Sequence, residues 1–183
     1  MNKKNIDWVG KSRELSLEIR DFVDGSWHVP ATESYKKYGP RDGDLLYSYH
    51  VGGEREADHA VAASRRAFSD GRWARMPVQK RKEILYKLAA LIEQHGEEFA
   101  LRESLDVGKP IRDALEFDVP AAVGCIRFNA ESADKCYGKV YAVTSTNLSY
   151  DLRKPIGVVA GIIGWNFPLY LAAQKIEIGR AHV

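Results

Sequence analysis

Cysteine is scarce in this chain: Cys125 and Cys136 are the two thiols among 183 residues. Two cysteines eleven apart give no disulfide framework, no metal-ligand spacing and no redox motif. Placed in helical sequence, they are expected to share one face and to be packed as small apolar groups. Charge of one sign is also missing. A net charge of +2 is too small to imply a nucleic-acid partner. The start lacks an apolar core, because Met1-Asn2-Lys3-Lys4 leads directly into Asn5, Asp7 and Glu14. No secretory signal is therefore expected, and a cytoplasmic, reducing setting is the default. What remains, 45% hydrophobic and 28% charged, is the balance of an ordinary soluble globular protein: one large domain or parts of two.

The most informative stretch is Pro155-Ile-Gly-Val-Val-Ala-Gly-Ile-Ile-Gly-Trp-Asn-Phe-Pro-Leu169. Ile156 to Ile163 is apolar, rich in β-branched residues and interrupted only by glycine, which predicts a strand buried on both faces. Trp165-Asn166 turns the chain, and Pro168, suited to a first helical turn, starts a helix running at least to Lys175. In open α/β sheets ligands bind beyond the carboxyl ends of strands. Asn166 stands at such an end, with Gly161 and Gly164 allowing close approach to the main chain.

Elsewhere the periodicities are clear. Leu15, Leu17 and Ile19 form a short amphipathic pattern compatible with helix or strand. Phe22-Val-Asp-Gly-Ser-Trp27 predicts a tight hairpin turning at Asp24-Gly25. Residues 35–51 read as loop and short strand, broken by Gly39-Pro40 and Asp42-Gly43. Helices are expected over 56–70, closed by Gly71; from Pro77 to Gly96, with a stripe of Ile84, Leu85, Leu88, Leu91 and Ile92; over 97–105; and over 111–137, interrupted near Pro120. After Gly138 the period becomes that of strands, and Val140–Val143 with Leu148, Tyr150 and Leu152 predicts a second hairpin.

I-G-V-V-A-G-I-I-G-W-N-F-P-L resembles the signature of the NAD(P)-dependent aldehyde dehydrogenase superfamily, with Gly164 where proline is usual. Further tracts resemble its N-terminal half in order and spacing: F-V-D-G-S-W, D-H-A-V-A-A-S-R-R-A-F, R-K-E-I-L-Y-K-L-A-A-L-I-E and E-S-L-D-V-G-K-P-I. The run from L-D-V-G-K-P through A-D-K-C-Y-G-K-V is similar to the branch acting on γ-glutamyl-γ-aminobutyraldehyde and related aminoaldehydes. The resemblance implies an α/β fold: a helical N-terminal layer with its hairpin over 1–137, an oligomerisation hairpin over 138–154, and the first strand and helix of a Rossmann-like sheet over 155–176. It implies a truncated piece of an enzyme that oxidises a small-molecule aldehyde to the acid with NAD or NADP, homodimeric or homotetrameric at full length.

In that family a cysteine attacks the aldehyde, a glutamate activates water, and the asparagine of W-N-F-P donates to the oxyanion. Asn166 matches that asparagine, although its position also permits a helix N-cap. The backbone of Ile162, Ile163, Gly164 and Trp165 would line the nicotinamide-ribose side of the cofactor. Neither Cys125 nor Cys136 matches the nucleophile, and the nucleophile and glutamate belong to later motifs, so this chain alone is expected to be inactive.

Two other classes remain. Residues 155–174 carry no charge and are long enough to cross a bilayer, against which stand their glycines, a proline and an asparagine. Residues 65–82 hold seven basic residues against Asp70 alone, a nucleic-acid-like cluster that also fits a solvated helix face and loop.

The last seven residues, Glu177–Val183, do not continue the family's Pro-Ala-Leu-Ala run. They are also what GAG ATC GGA AGA GCA CAC GTC encodes, a string resembling a sequencing adapter. The expectation is a genuine sequence that ends near Ile176 followed by a non-native tail. Clean genomic reads showing a stop codon directly after Val183 would rule the adapter out.

Overall fold

The computed structural model describes residues 6–181, except the side chains of 177–181. A short helix, α1 (Trp8–Glu14), opens the chain, with the Asp7 carboxylate accepting from the Gly10 N–H at 2.9 Å. The stretch carrying Leu15, Leu17 and Ile19 follows it as neither helix nor strand. Strands β1 (Asp21–Val23) and β2 (Ser26–His28) form the expected hairpin. Its turn has positive φ at both Asp24 and Gly25, the geometry that favours Asp-Gly. Strands β3 (Ser34–Tyr38) and β4 (Leu45–His50) make a second hairpin where only loop and short strand were expected. The turn residues Gly39-Pro40 and Asp42-Gly43 lie between its strands and punctuate one unit rather than ending two.

Helices α2 (Glu54–Ser69), α3 (Val78–Gln94) and α4 (Gly96–Val107) follow in the expected order. α3 ends at Gln94, just before Gly96 as expected, but Gly96 is not merely a stop. It starts α4, where an added Cβ would meet Val119 Cγ1 at 3.3 Å, so its missing side chain makes room for a neighbour. The chain continues as α5 (Ile111–Asp113), a π turn over Ala114–Asp118, and α6 (Val119–Ser132). The expected interruption near Pro120 is this π turn. Pro120 offers no N–H and crowds the carbonyl four residues back. Widening the preceding turn, so that Val119 N–H reaches the Ala114 carbonyl, accommodates it and turns both Asp118 and Val119 inward.

The core lies between α3, α6 and a final helix α7 (Pro168–Ala181). Leu85 and Ile92 of α3, Val123 and Ile126 of α6 and Ala173 of α7 are buried together. Ala89, Ala100, Ala114, Ala122 and Ala130 are wholly buried, and these small side chains let the helices approach closely. Ile84, Leu88 and Leu91, expected within one buried stripe, are instead part-exposed, because α6 and α7 cover only the Leu85–Ala89–Ile92 side. Polar pairs flank the seam: Arg127 with Glu93 at 2.6 Å, Tyr86 with Glu131, and Lys82 with Asp134 at 3.0 Å. Ascending numbers on α3 meet descending numbers on α6, so the two run antiparallel. Cys136 lies past the end of α6 and is exposed, whereas Cys125 is half-buried, so they do not share a packed face.

Strands β5 (Val140–Ala142) and β6 (Leu148–Tyr150) form the predicted third hairpin, with both its faces exposed. The strand expected over 156–163 requires correction. The segment pairs with no strand among the described residues and is not buried on two faces, since Ile156 is 92% and Ile162 90% exposed. An apolar strand needs neighbours on both edges and layers on both faces, and the described residues supply a helix on one side only. A membrane-spanning helix over 155–174 is also excluded as this segment's form, because regular helix begins only at Pro168. Among the described residues no helix is long and apolar enough to cross a membrane. The tail expectation for 177–183 concerns side chains outside the described residues.

Asp134 ties the end of α6 to α3. Hydrogen bonds from Lys135 and Lys82 hold its carboxyl down at about 2, below its ordinary 3.8. A lowered folded-state value adds stability above pH 3.8 that is lost as the pH falls towards about 2. Asp134→Asn is expected to remove that part of the acid-induced loss, measured by urea unfolding from pH 5 to 2.

Candidate functional site

The site forms where the extended segment meets α7. The 161–164 backbone lies along α7 and runs opposite to it: a Cβ added at Gly161 would meet Lys175 Cβ at 3.3 Å, and one at Gly164 would meet Leu171 Cδ1 at 3.3 Å. These two glycines therefore give their room to a helix, not to an open approach. Gly164 has a second neighbour, because its added Cβ would come within 3.0 Å of Asn166 Oδ1. The missing side chain at 164 lets the Asn166 amide fold back beside the main chain.

Phe167, rather than Asn166, caps α7. Its carbonyl accepts from Leu171 N–H at 2.9 Å, and Pro168 is the first helical residue. Asn166 stands one residue earlier, exposed at the corner. Ile162, Ile163 and Trp165 are part- to fully exposed beside it. The structure thus brings Ile162, Ile163, Gly164, Trp165 and Asn166 to one continuous open corner, with no thiol among them.

Below that corner lies a charged cluster the motif reading overlooked. Lys109 Nζ sits 3.7 Å from the centroid of the Phe167 ring. The same ammonium donates to Glu103 Oε1 at 3.0 Å and to Asp118 Oδ2. The two carboxylate side chains are only 3% and 6% exposed. Burial pushes the Glu103 carboxyl above its ordinary value; neighbouring Asp118 adds to that and Lys109 opposes it. Burial by itself would lower the Lys109 ammonium, but hydrogen bonds to Asp118 and Glu103 outweigh it and keep it raised. Glu103 Oε2 is buried with no partner among the described residues. A usable sequence signal did exist: Glu103 falls three residues after Ala100 on a buried helix face, and Asp118 four after Ala114. An acid on each of two apolar faces, with a lysine between them in sequence, marks a buried ion pair.

The turn that delivers Lys109 is itself clamped. Gly108 closes α4 at φ +81°, and an added Cβ there would lie 2.8 Å from Pro40 Cγ. Tyr47 Oη donates to Asp106 Oδ1 at 2.6 Å, and burial with that bond holds the phenol above its ordinary value. Lys37 approaches the same oxygen at 3.5 Å. The β3–β4 hairpin thus fixes D-V-G-K-P from outside. Ser104 Oγ, donating to the Lys109 carbonyl at 2.7 Å, fixes it from inside.

The cationic tract over 65–82 is heavily paired within the chain. Arg66 meets Asp24 at 3.0 Å, Arg72 meets Asp70 at 2.6 Å, Lys80 meets Glu83 at 2.8 Å, and Lys82 is spent on Asp134.

Among the described residues no strand pairs with the 155–164 main chain, which leads into the start of α7, and no acidic side chain occurs between 155 and 175.

With two buried acids sharing one cation, Lys109→Met is expected to cost about 3–5 kcal/mol in urea unfolding. Glu103→Gln keeps the shape and removes a charge that burial opposes. A raised folded-state value means the wild-type carboxyl adds stability at and below pH 4.5 and loses it as pH rises. At pH 7 the Gln variant is expected to melt at or above the wild-type temperature, with that advantage fading towards pH 4.5.

A sequence profile described as "Aldehyde dehydrogenase family" matches residues 27–181. The chain is 41% identical over 170 residues to the NADP/NAD-dependent aldehyde dehydrogenase PuuC of Escherichia coli K12, covering 92% of this chain and 34% of that protein. It is 40% identical over 171 residues to an aminoacetaldehyde dehydrogenase of Pseudomonas aeruginosa, covering 93% and 34%. The crystal structure of γ-glutamyl-γ-aminobutyraldehyde dehydrogenase from Burkholderia cenocepacia J2315 superposes with a TM-score of 0.91 at 39% identity, over 96% of this chain and 36% of that one. The chain thus spans about a third of the length of the proteins it matches.

Proposed function

Because this chain belongs to the aldehyde dehydrogenase family, an oxidoreductase family, we propose that it forms the N-terminal part of an enzyme oxidising an aminoaldehyde to its carboxylic acid. The observation that carries this reading is the placement of Asn166. It sits exposed at the corner between an extended apolar segment and α7, relieved of capping by Phe167 and given room by Gly164.

Oxidation of an aldehyde passes through a tetrahedral adduct whose oxygen carries negative charge. A neutral amide N–H held ready at that point stabilises the charge as it develops, without reorganising. In this reading Asn166 is that donor, and the backbone of Ile162, Ile163, Gly164 and Trp165 holds the nicotinamide end of NAD or NADP. When bound, that cofactor supplies the hydride acceptor. Neither Cys125, half-buried on α6, nor Cys136, exposed beyond its end, matches the family's nucleophile in this reading. The attacking thiol and the glutamate that activates water come from outside this chain, and the chain by itself is inactive. The β5–β6 hairpin, exposed on both faces with Val140 and Leu148 outermost, is the surface through which a homodimer or homotetramer would assemble. A cytoplasmic setting belongs to the same proposal.

A chimera tests this: residues 1–176 joined to the remaining two thirds of the Escherichia coli relative. The chimera is expected to reduce NAD(P)+ with an aminoaldehyde, while the 183-residue chain alone does not. Asn166→Ala in the chimera is expected to lower kcat by about a hundred- to a thousandfold. Turnover left nearly unchanged by that substitution would refute the oxyanion role.

A further inference from the structure

We propose that Lys109 is a positioning residue for the Asn166 corner, holding Phe167 through its ring face while Glu103 and Asp118 hold Lys109. This rests on the reading of Asn166 given above for its consequence, but its geometry stands independently. Asn166 is exposed, so its orientation depends on the residues on either side of it. On one side Gly164 offers room rather than a restraint. On the other, Phe167 is peptide-linked to Asn166, caps α7, and has its ring under the Lys109 ammonium at 3.7 Å.

Lys109 is suited to act as an anchor because its own freedom is removed. A lysine on the surface loses a large rotamer entropy on docking to a ring, and the contact is weak in water. Here two nearly buried carboxylates take two of the three N–H directions, and Ser104 holds the Lys109 carbonyl. The ammonium is thus held by groups other than Phe167, and its own side chain is only 15% exposed, so little of its hydration is left to compete with the half-exposed ring. The restraint extends further. The turn bearing Lys109 is gripped by Pro40 over Gly108 and by Tyr47 on Asp106, so the β3–β4 hairpin, α4, the π turn and the start of α7 converge on one ammonium. The E-S-L-D-V-G-K-P tract, which has no part in the chemistry proposed above, thereby acquires a role.

Amide hydrogen exchange on the full 183-residue chain tests this, read by mass spectrometry on peptides covering 164–175, with α3 and α6 peptides as the internal reference for global opening. Phe167→Leu leaves the ion cluster intact and removes the ring face; it is expected to speed exchange at 166–171 by at least about fivefold, with α3 and α6 unchanged. Phe167→Tyr keeps the face and is expected to keep wild-type protection. Lys109→Met is expected to match Phe167→Leu locally, Lys109→Arg to rescue it, and Lys109→Met/Phe167→Leu to exchange no faster than either single variant. Equal protection in the Leu and Tyr variants overturns the proposal, as do single-variant effects that multiply in the double. Should Lys109→Met fail to fold, the comparison of Leu with Tyr at 167 decides alone. Exchange requires no turnover, so failure here is distinct from failure of the Asn166→Ala test.

Discussion

Three charges removed from water at one point constrain the arrangement of the helices. Glu103 comes from α4, Asp118 from the π turn before α6, and Lys109 from the turn between them. Taking such groups out of water costs several kcal/mol each unless hydrogen bonds and opposite charge compensate. Compensation at these distances fixes where α4 and α6 stand relative to each other far more narrowly than apolar contact does, since an alanine-rich seam tolerates sliding. The π turn belongs to the same constraint. Pro120 forces the turn before it to widen, and the widened turn is what aims Asp118 inward. A proline unable to donate one hydrogen bond thus helps to place a buried acid two residues before it.

The second constraint is what the described residues leave uncovered. The core of α3, α6 and α7 is dry, whereas the chain from Tyr137 to Trp165 presents Val140, Leu148, Leu152, Ile156, Val159 and Ile162 to solvent. That contrast divides the chain between a helical layer that satisfies itself and an apolar extension that does not. Exposed apolar surface of this extent is the mark of an interaction site. The corner at Asn166 lies where the two parts join, next to the self-sufficient layer and exposed to solvent.

Local chemistry was legible wherever it is stored in a few neighbouring residues. Asp24-Gly25 specified a hairpin turn because few other pairs accept two positive φ values. Gly71 and Gly108 closed helices for the same reason. Pro168 announced the start of α7, and the helical spacing of Leu85 and Ile92 announced a buried face. The family signature located Asn166 and its neighbours. Misjudged features share a different cause. Gly96 was read only as a stop, and α3 does end just before it, but it also starts α4 and leaves space for Val119. Ile84, Leu88 and Leu91 looked as buried as Leu85 because periodicity reports a face, not how much of it a neighbour covers. The strand at 156–163 carries strand composition without strand partners.

The sequence by itself determined the order of the helices, several of the turns between elements and the family, because each depends on side chains close together along the chain. Only the tertiary structure decided that Lys109, 57 positions before Asn166, has its ammonium against the ring of the very next residue. That contact joins segments distant in the chain, and it exists because buried charge must be paired by whatever the fold brings within reach. No local pattern records which partner that will be.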